Sequence, residues 1–283
     1  MQQLTANVYT ETRWTSGSSA HPRAGSNSSF VVTSQGIVMI DAPSVPANAI
    51  KWREIIAEKG KLLYLINTGC HSDHVTGNYF FPVPGIAQEE IRKAIPANLF
   101  YTDEEQRRKL KRNYPLCDDL VKDYHITLPS ITFSERLTLY VGDHTIELIH
   151  LPGHSSGETN VYLPQEKVLF TGDNFANGYQ PKVSDCYPLE QLEALRKILE
   201  MDVEYYVPGH GDVGDKQAVR AYMAIFQGCV DAVMEAIQKG MTREATMDRV
   251  RLPIPENLIY RHPEPEQLKK DVGRFYDMLS HAK

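Results

Sequence analysis

The chain has 283 residues, 42% of them apolar and 23% charged, and a formal net charge of −6. That composition suits a globular protein with a sizeable core, and its acidic balance gives no electrostatic case for nucleic acid or an anionic membrane. No apolar run approaches the ~20 residues of a membrane span, and four scattered cysteines without a CxxC pair suit a reducing compartment better than a disulfide framework.

The opening MQQLTANVYTETRW lacks the basic start and apolar core of a signal peptide, so a cytoplasmic protein is expected. Residues 27–42 read as two strands around a Gln-Gly turn, and a helix follows over roughly 46–59, ending at Gly60. LLYLIN (62–67) is a short, fully apolar strand, and GCHSDH leaves its C-terminal end. Residues 82–129 turn polar and helical in period, which predicts a helical insert over about 86–128 that could cover a site. Strand patterns return at 131–153, 160–164 and 167–173, a leucine-spaced helix at 189–200, and another strand at 203–211. From about 215 the chain is helical, with Val219, Tyr222, Phe226, Val230, Val233 and Ile237 on one face. A single α/β domain over 1–283 is expected, with the insert and the C-terminal helical region as embellishments.

Four short stretches fall where predicted strands end: GCHSDH (69–74), LPGHSSG (151–157), FTGD (170–173) and VPGHG (207–211). Together they offer His71, Asp73, His74, His154, Asp173 and His210. Imidazole and carboxylate donors suit Zn²⁺, with Fe or Mn as alternatives. In an extended segment His71 and Asp73 point the same way and His74 reaches a neighbouring position.

In this order the four stretches resemble the metallo-β-lactamase superfamily over roughly residues 25–215. The resemblance implies a four-layer αββα sandwich with a metal site at one edge of its two sheets. The family signature His-x-His-x-Asp-His falls on Gly69-Cys70-His71-Ser72-Asp73-His74, so its first histidine is missing. It further implies one metal held by Asp73, His74, Asp173 and His210, and another by only His71, His154 and the bridging Asp173. A dinuclear site completed by water or another ligand, a mononuclear enzyme and a pocket kept only for binding all remain open. Cys70 and His21 are the candidate replacements; a small buried thiol and an exposed loop histidine are the plainer accounts of them. Gly69→His should raise occupancy at the first site, unless another residue already fills the gap.

The implied activity is hydrolysis: hydroxide on one or two metals attacks the carbonyl of a small lactone, cyclic amide or thioester, with Asp73 orienting the nucleophile. A small-molecule substrate is expected, with neither nucleic acid nor membrane as partner and a homodimer as the one assembly considered. The rivals are a degenerate ligand-binding or regulatory protein and an iron-dependent oxygenase of the same fold. His144 and His150 read as structural, and His125, His262 and His281 lack a second ligand nearby in sequence. RRKLKR (107–112) reads as a solvated helix face, and Tyr179 and Lys182 as members of a connecting loop that could line the pocket.

Overall fold

The structure, a computed structural model, describes residues 1–14, 25–97, 102–183, 185–258 and 265–281. Strands β1 (Gln2–Gln3) and β2 (Val8–Glu11) lead into the hairpin of β3 (Ser28–Thr33) and β4 (Gly36–Ile40). Helix α1 (Pro46–Lys59) returns the chain to β5 (Leu62–Ile66), parallel to β4. After the single turn α2 (Ser72–Val75) come β6 (Gly85–Gln88), α3 (Glu89–Ala97), α4 (Asp103–Asn113), α5 (Asp118–Val121) and β7 (Ile131–Phe133). Strands β1 to β7 form one sheet in chain order.

The chain then crosses to a second sheet with β8 (Arg136–Val141), β9 (His144–His150), β10 (Thr159–Leu163) and β11 (Val168–Phe170). A two-residue strand, β12 (Ala176–Asn177), and helix α6 (Pro188–Glu200) precede β13 (Tyr205–Val207), which pairs in parallel with β11. This sheet runs β13-β11-β10-β9-β8, while β12 pairs with β14 (His210–Gly211). Helices α7 (Lys216–Gln238), α8 (Arg243–Arg249) and α9 (Pro265–Ser280) close the chain.

Period-two side chains explain the layering. Val38 and Ile40 of β4 face inward to meet Val161, Leu163, Val168 and Phe170 from the other sheet. Ile37 and Met39 face outward onto α1, where Ala49, Trp52 and Ile56 recur at helical spacing. On the far side Leu169 and Tyr206 pack under Ala194, Leu195 and Ile198 of α6 and Val219 and Tyr222 of α7. The result is the αββα sandwich expected from the sequence. Of the six predicted α7 positions, five are buried and Ile237 is partly so. Among the described residues, no helix is long and apolar enough to cross a membrane.

One expectation needs correction. Ile86–Gln88, assigned to the insert, belong to β6; a four-residue buried strand is too short to show its own period. Of the helices that follow, α3 packs Ile91 and Ile95 against Cys70, while α4 and α5 lie elsewhere. Leu110, Val121 and Tyr124 join the cluster around Trp52 on the outer face of the first sheet. Arg108, Lys109, Lys111 and Arg112 are exposed there and Arg107 is half-buried, which is the solvated-face reading of RRKLKR.

Two backbone bonds stitch the sheets together at one edge. Thr159 N–H donates to the Thr68 carbonyl (2.8 Å), and Asn27 N–H to that of Gly209 (2.8 Å). The chain ends leaving β4, β5, β11 and β13 converge at this edge, where loops over a layered sheet commonly form sites.

Candidate metal centre

The GCHSDH segment is not extended throughout, as its sequence suggested. His71 stands at the N-cap of α2, and Asp73 and His74 lie within that turn. The turn separates their directions, so the three residues divide between two clusters. His71, His154 and Asp173 form one, and Asp73, His74 and His210 the other.

In the first cluster His154 Nε2 lies 3.3 Å from His71 Nδ1 and 3.4 Å from Asp173 Oδ2, with His71 Nδ1 4.0 Å from the same oxygen. In the second, His210 Nε2 lies 3.1 Å from Asp73 Oδ2 and 3.4 Å from Asp173 Oδ1, and His74 Nε2 is 3.4 Å from that same Asp173 oxygen. Tetrahedral ligands about 2.0–2.1 Å from one ion stand roughly 3.3–3.4 Å apart, so both clusters fit a divalent metal. Asp173 offers one oxygen to each and is placed to bridge.

The remaining ring nitrogens set the tautomers. His71 Nε2 meets Asp185 Oδ2 (2.9 Å), His74 Nδ1 meets Asp41 Oδ2 (2.8 Å), and His154 Nδ1 meets the Lys182 carbonyl (3.2 Å). With those nitrogens donating and His71 neutral, as a metal ligand must be, His71 Nδ1 and His154 Nε2 face each other as lone pairs. That arrangement is reconciled by a cation between them. Independent support comes from His74 Nε2, His210 Nε2 and Asp173 Oδ1, which are buried without a hydrogen bond. Such orphaned donors and acceptors are costly in a protein interior. A metal held there would satisfy all three.

Charge follows the same geometry. Burial would raise the carboxyls of Asp73 and Asp173, but His210 and His74 hold both well below the usual range. Burial opposes protonation of His74, yet Asp41 and Asp173 outweigh it and lift that imidazole well above its ordinary value. His210 is likewise raised, against burial, chiefly by Asp173. His154 goes the other way: burial, opposed by Asp173 but reinforced by His71 and Lys182, pushes it down to about 4. Glu158, fully buried and near the Asp173 charge, is pushed up to about 8.

The backbone is shaped to these contacts. A Cβ on Gly209 would sit 1.9 Å from Asp173 Oδ1, so only glycine lets the His210 loop approach. Asn174 accepts from the His154 amide (3.0 Å) and donates to the Leu151 carbonyl (2.7 Å), fixing the loop that carries His154. Tyr179 and Lys182 do line a small cleft, with Gln180 and Tyr222, beside His154, Asp173 and His210.

Cys70 packs against the cluster of Val75, Ala87, Ile91 and Ile95, and burial pushes its thiol up to about 11. It belongs to neither cluster. His21 and His262 lie outside the described residues. His144 bonds Asp143 and Glu166, and His150 the Ser156 carbonyl, which are structural roles.

Asp41, Asp185 and Glu158 were missed as members of the site. Asp41 had a signal, an acidic residue directly after an apolar strand at the site edge. Asp185 and Glu158 had none, because loop geometry alone brings them in.

The family described as the metallo-beta-lactamase superfamily matches residues 21–210. The chain belongs to that superfamily. Its metallo-β-lactamase fold extends to relatives of varied activity. A beta-lactamase-like protein 2 homolog of Caenorhabditis elegans is 25% identical over 230 residues, 80% of this chain and 65% of that protein. A hydroxyacylglutathione hydrolase of Mesorhizobium japonicum is 41% identical over 68 residues, 24% of this chain and 26% of that enzyme. The chain thus spans less than two thirds of either relative. Among solved structures, a stereoselective inverting sec-alkylsulfatase from Pseudomonas sp. superposes with a TM-score of 0.69 at 15% identity, over 97% of this chain and 49% of its own. At that identity the likeness concerns the fold.

Proposed function

We propose that this chain is a metal-dependent hydrolase acting on a small molecule with a thioester, lactone or cyclic amide bond. The observation that carries the reading is the pair of donor clusters with Asp173 between them, and with His74 Nε2, His210 Nε2 and Asp173 Oδ1 buried without a hydrogen bond. Zn²⁺ fits the mixed imidazole and carboxylate set best, with Fe or Mn as alternatives. His71, His154 and Asp173 would hold one ion, and Asp73, His74, His210 and Asp173 the other. Bound there, a divalent ion lowers the pKa of its water from 15.7 to about 7 and polarises a carbonyl.

The protein's own part is positioning. Three ligand residues leave more open positions at the first centre than four do at the second, so substrate belongs at the first. Asp73, held anionic and half-exposed, can orient the attacking water. The positive charge of Lys182 acts on Asp73, His154 and His210 from the cleft wall, where it would also attract an anionic group of the substrate. Four free thiols, three of them buried, fit a cytoplasmic protein.

The relative named as a hydroxyacylglutathione hydrolase supports a thioester substrate. A second reading, hydrolysis of an alkyl sulfate ester, draws on the sec-alkylsulfatase, whose likeness extends over nearly this whole chain, C-terminal helices included. Protein purified without chelator should carry one to two metal equivalents and hydrolyse one class in a panel of thioesters, lactones, β-lactams and alkyl sulfates. Metal-free protein inert across that panel, and not activated by added Zn²⁺, Fe²⁺ or Mn²⁺, would favour a ligand-binding role and sink this proposal.

A further inference from the structure

The gap left by a side chain missing at position 69 is already filled. A Cβ built on Gly69 would lie 3.2 Å from Glu158 Oε1, with His74 Cγ the next group at 3.8 Å. The contact with Glu158 Oε1 is tighter than a Cβ normally makes, so a side chain at position 69 requires that carboxyl to give way. Glu158 sits just before β10 and is fully buried. Its Oε1 accepts from Ser155 Oγ (2.8 Å) and its Oε2 from the Asp173 amide (3.1 Å). The same carboxyl crowds Gly172, where a Cβ would come within 2.6 Å of Oε2. Two glycines, one on each sheet's loop, thus make room for one acidic side chain.

We propose that Glu158 takes the place of the absent side chain at position 69, as a positioning residue of the first metal centre. This rests on the metal-site reading above. Glu158 belongs to neither donor cluster, and each of its oxygens is held by a donor. It braces Asp173 and the segment next to His154, two of the three first-centre ligands, from behind. Gly69 is then a requirement of Glu158 rather than a lost ligand, and His71, His154 and Asp173 form a three-residue centre by construction. Of the two outcomes expected for Gly69→His, this proposal selects the one in which another residue already fills the gap, because Glu158 Oε1 crowds the Cβ position.

The test is a double-mutant cycle read by Co²⁺ titration, using absorption to separate the two centres, together with Tm. Gly69→His alone should lower Tm without tightening the first centre. Glu158→Ala should weaken that centre about 10–100-fold, the usual cost of removing an outer partner. Glu158→Gln should restore it, because its Oε1 can accept from the Asp173 amide while Nε2 donates to Ser155 Oγ. Gly69→His with Glu158→Ala should bind more tightly than Glu158→Ala by about tenfold or more. Tighter binding by Gly69→His alone would overturn the proposal, as would failure of Glu158→Gln to rescue. If the double variant does not fold, these single variants still decide. Wild-type protein that takes up no metal at the Asp73, His74 and His210 centre would instead overturn the metal reading itself.

Discussion

Asp41→Asn isolates how the second centre is tuned. Asp41 has a positive φ of 52° immediately after β4, and asparagine is among the few residues that tolerate that region, so the backbone should survive the change. Asp41 Oδ1 accepts the Thr68 amide (2.9 Å), while Oδ2 takes both the Thr68 hydroxyl and His74 Nδ1. Asparagine keeps one acceptor oxygen and turns the other position into a donor. Kept on the Thr68 amide, its oxygen leaves the NH₂ facing His74. The imidazole then shifts its proton to Nε2, the nitrogen directed at Asp173. Metal at Nε2 then forces the remaining proton back to Nδ1, against the NH₂, whereas in the wild type that proton rests on Nδ1 facing the Asp41 carboxylate. Loss of such an outer partner typically costs 10–100-fold in metal affinity, which is about 1.4–2.8 kcal/mol. Competition with a chromophoric chelator, using His74→Ala as the reference for a destroyed centre, reads this constant. The first centre should be unaffected. An unchanged second-centre affinity would refute the tautomer argument.

Asp185→Ala should show the mirror image, weakening the first centre about 10–100-fold while leaving the second in place, measured by the same competition. The raised His74 and His210 imidazoles must lose their protons when metal binds, so affinity should fall on acidification and binding should release protons; calorimetry in buffers of different ionisation enthalpy tests this, and no buffer dependence would contradict it. For His144, burial is outweighed by Asp143 and Glu166 and its pKa is raised. Its stabilising contribution is therefore complete below the unfolded value near 6.5 and disappears as pH rises through the folded one. His144→Ala should cost about 1–3 kcal/mol at pH 6 and less at pH 9 by urea unfolding; an equal loss at both would count against a charged His144. Phe226, buried between Tyr222 and Phe275, should cost about 3–5 kcal/mol when changed to alanine, seen as a lower Tm.

The fold and the six candidate ligands were legible in sequence for different reasons. Continuous apolar runs marked β4 and β5, which sit inside the sheet, a Gly60 stop marked the end of α1, and helical spacing marked α7, where burial on one side imposes a period. Those candidates were legible because each follows a strand end, where the sheet dictates position regardless of loop detail. Short strands escaped: β1 and β2 and the four residues of β6 are too brief to display a period. The bracing groups escaped for a different reason. Asp185 and Glu158 reach the centre through folded loops, and nothing local in KVSDCY or SSGETN marks a carboxyl as facing a histidine. The turn after His71 was also invisible, since its direction is fixed by Asn67, which donates to the His74 carbonyl (3.0 Å), and Ser26, which donates to that of Asp73 (2.9 Å).

The bonds from Thr159 to Thr68 and from Asn27 to Gly209 give this edge a mechanical meaning. His71, Asp73 and His74 hang from the first sheet, whereas His154, Asp173 and His210 hang from the second, so each ion would be gripped by two jaws. The jaw spacing is set far away, by how Val38 and Ile40 meet Val161 and Phe170 in the core between the sheets. Tetrahedral metal–nitrogen bonds tolerate only a few tenths of an ångström. Trimming a core methyl group well away from the centre would therefore change the grip on both ions at once, and loading the ions would clamp the sheets in return.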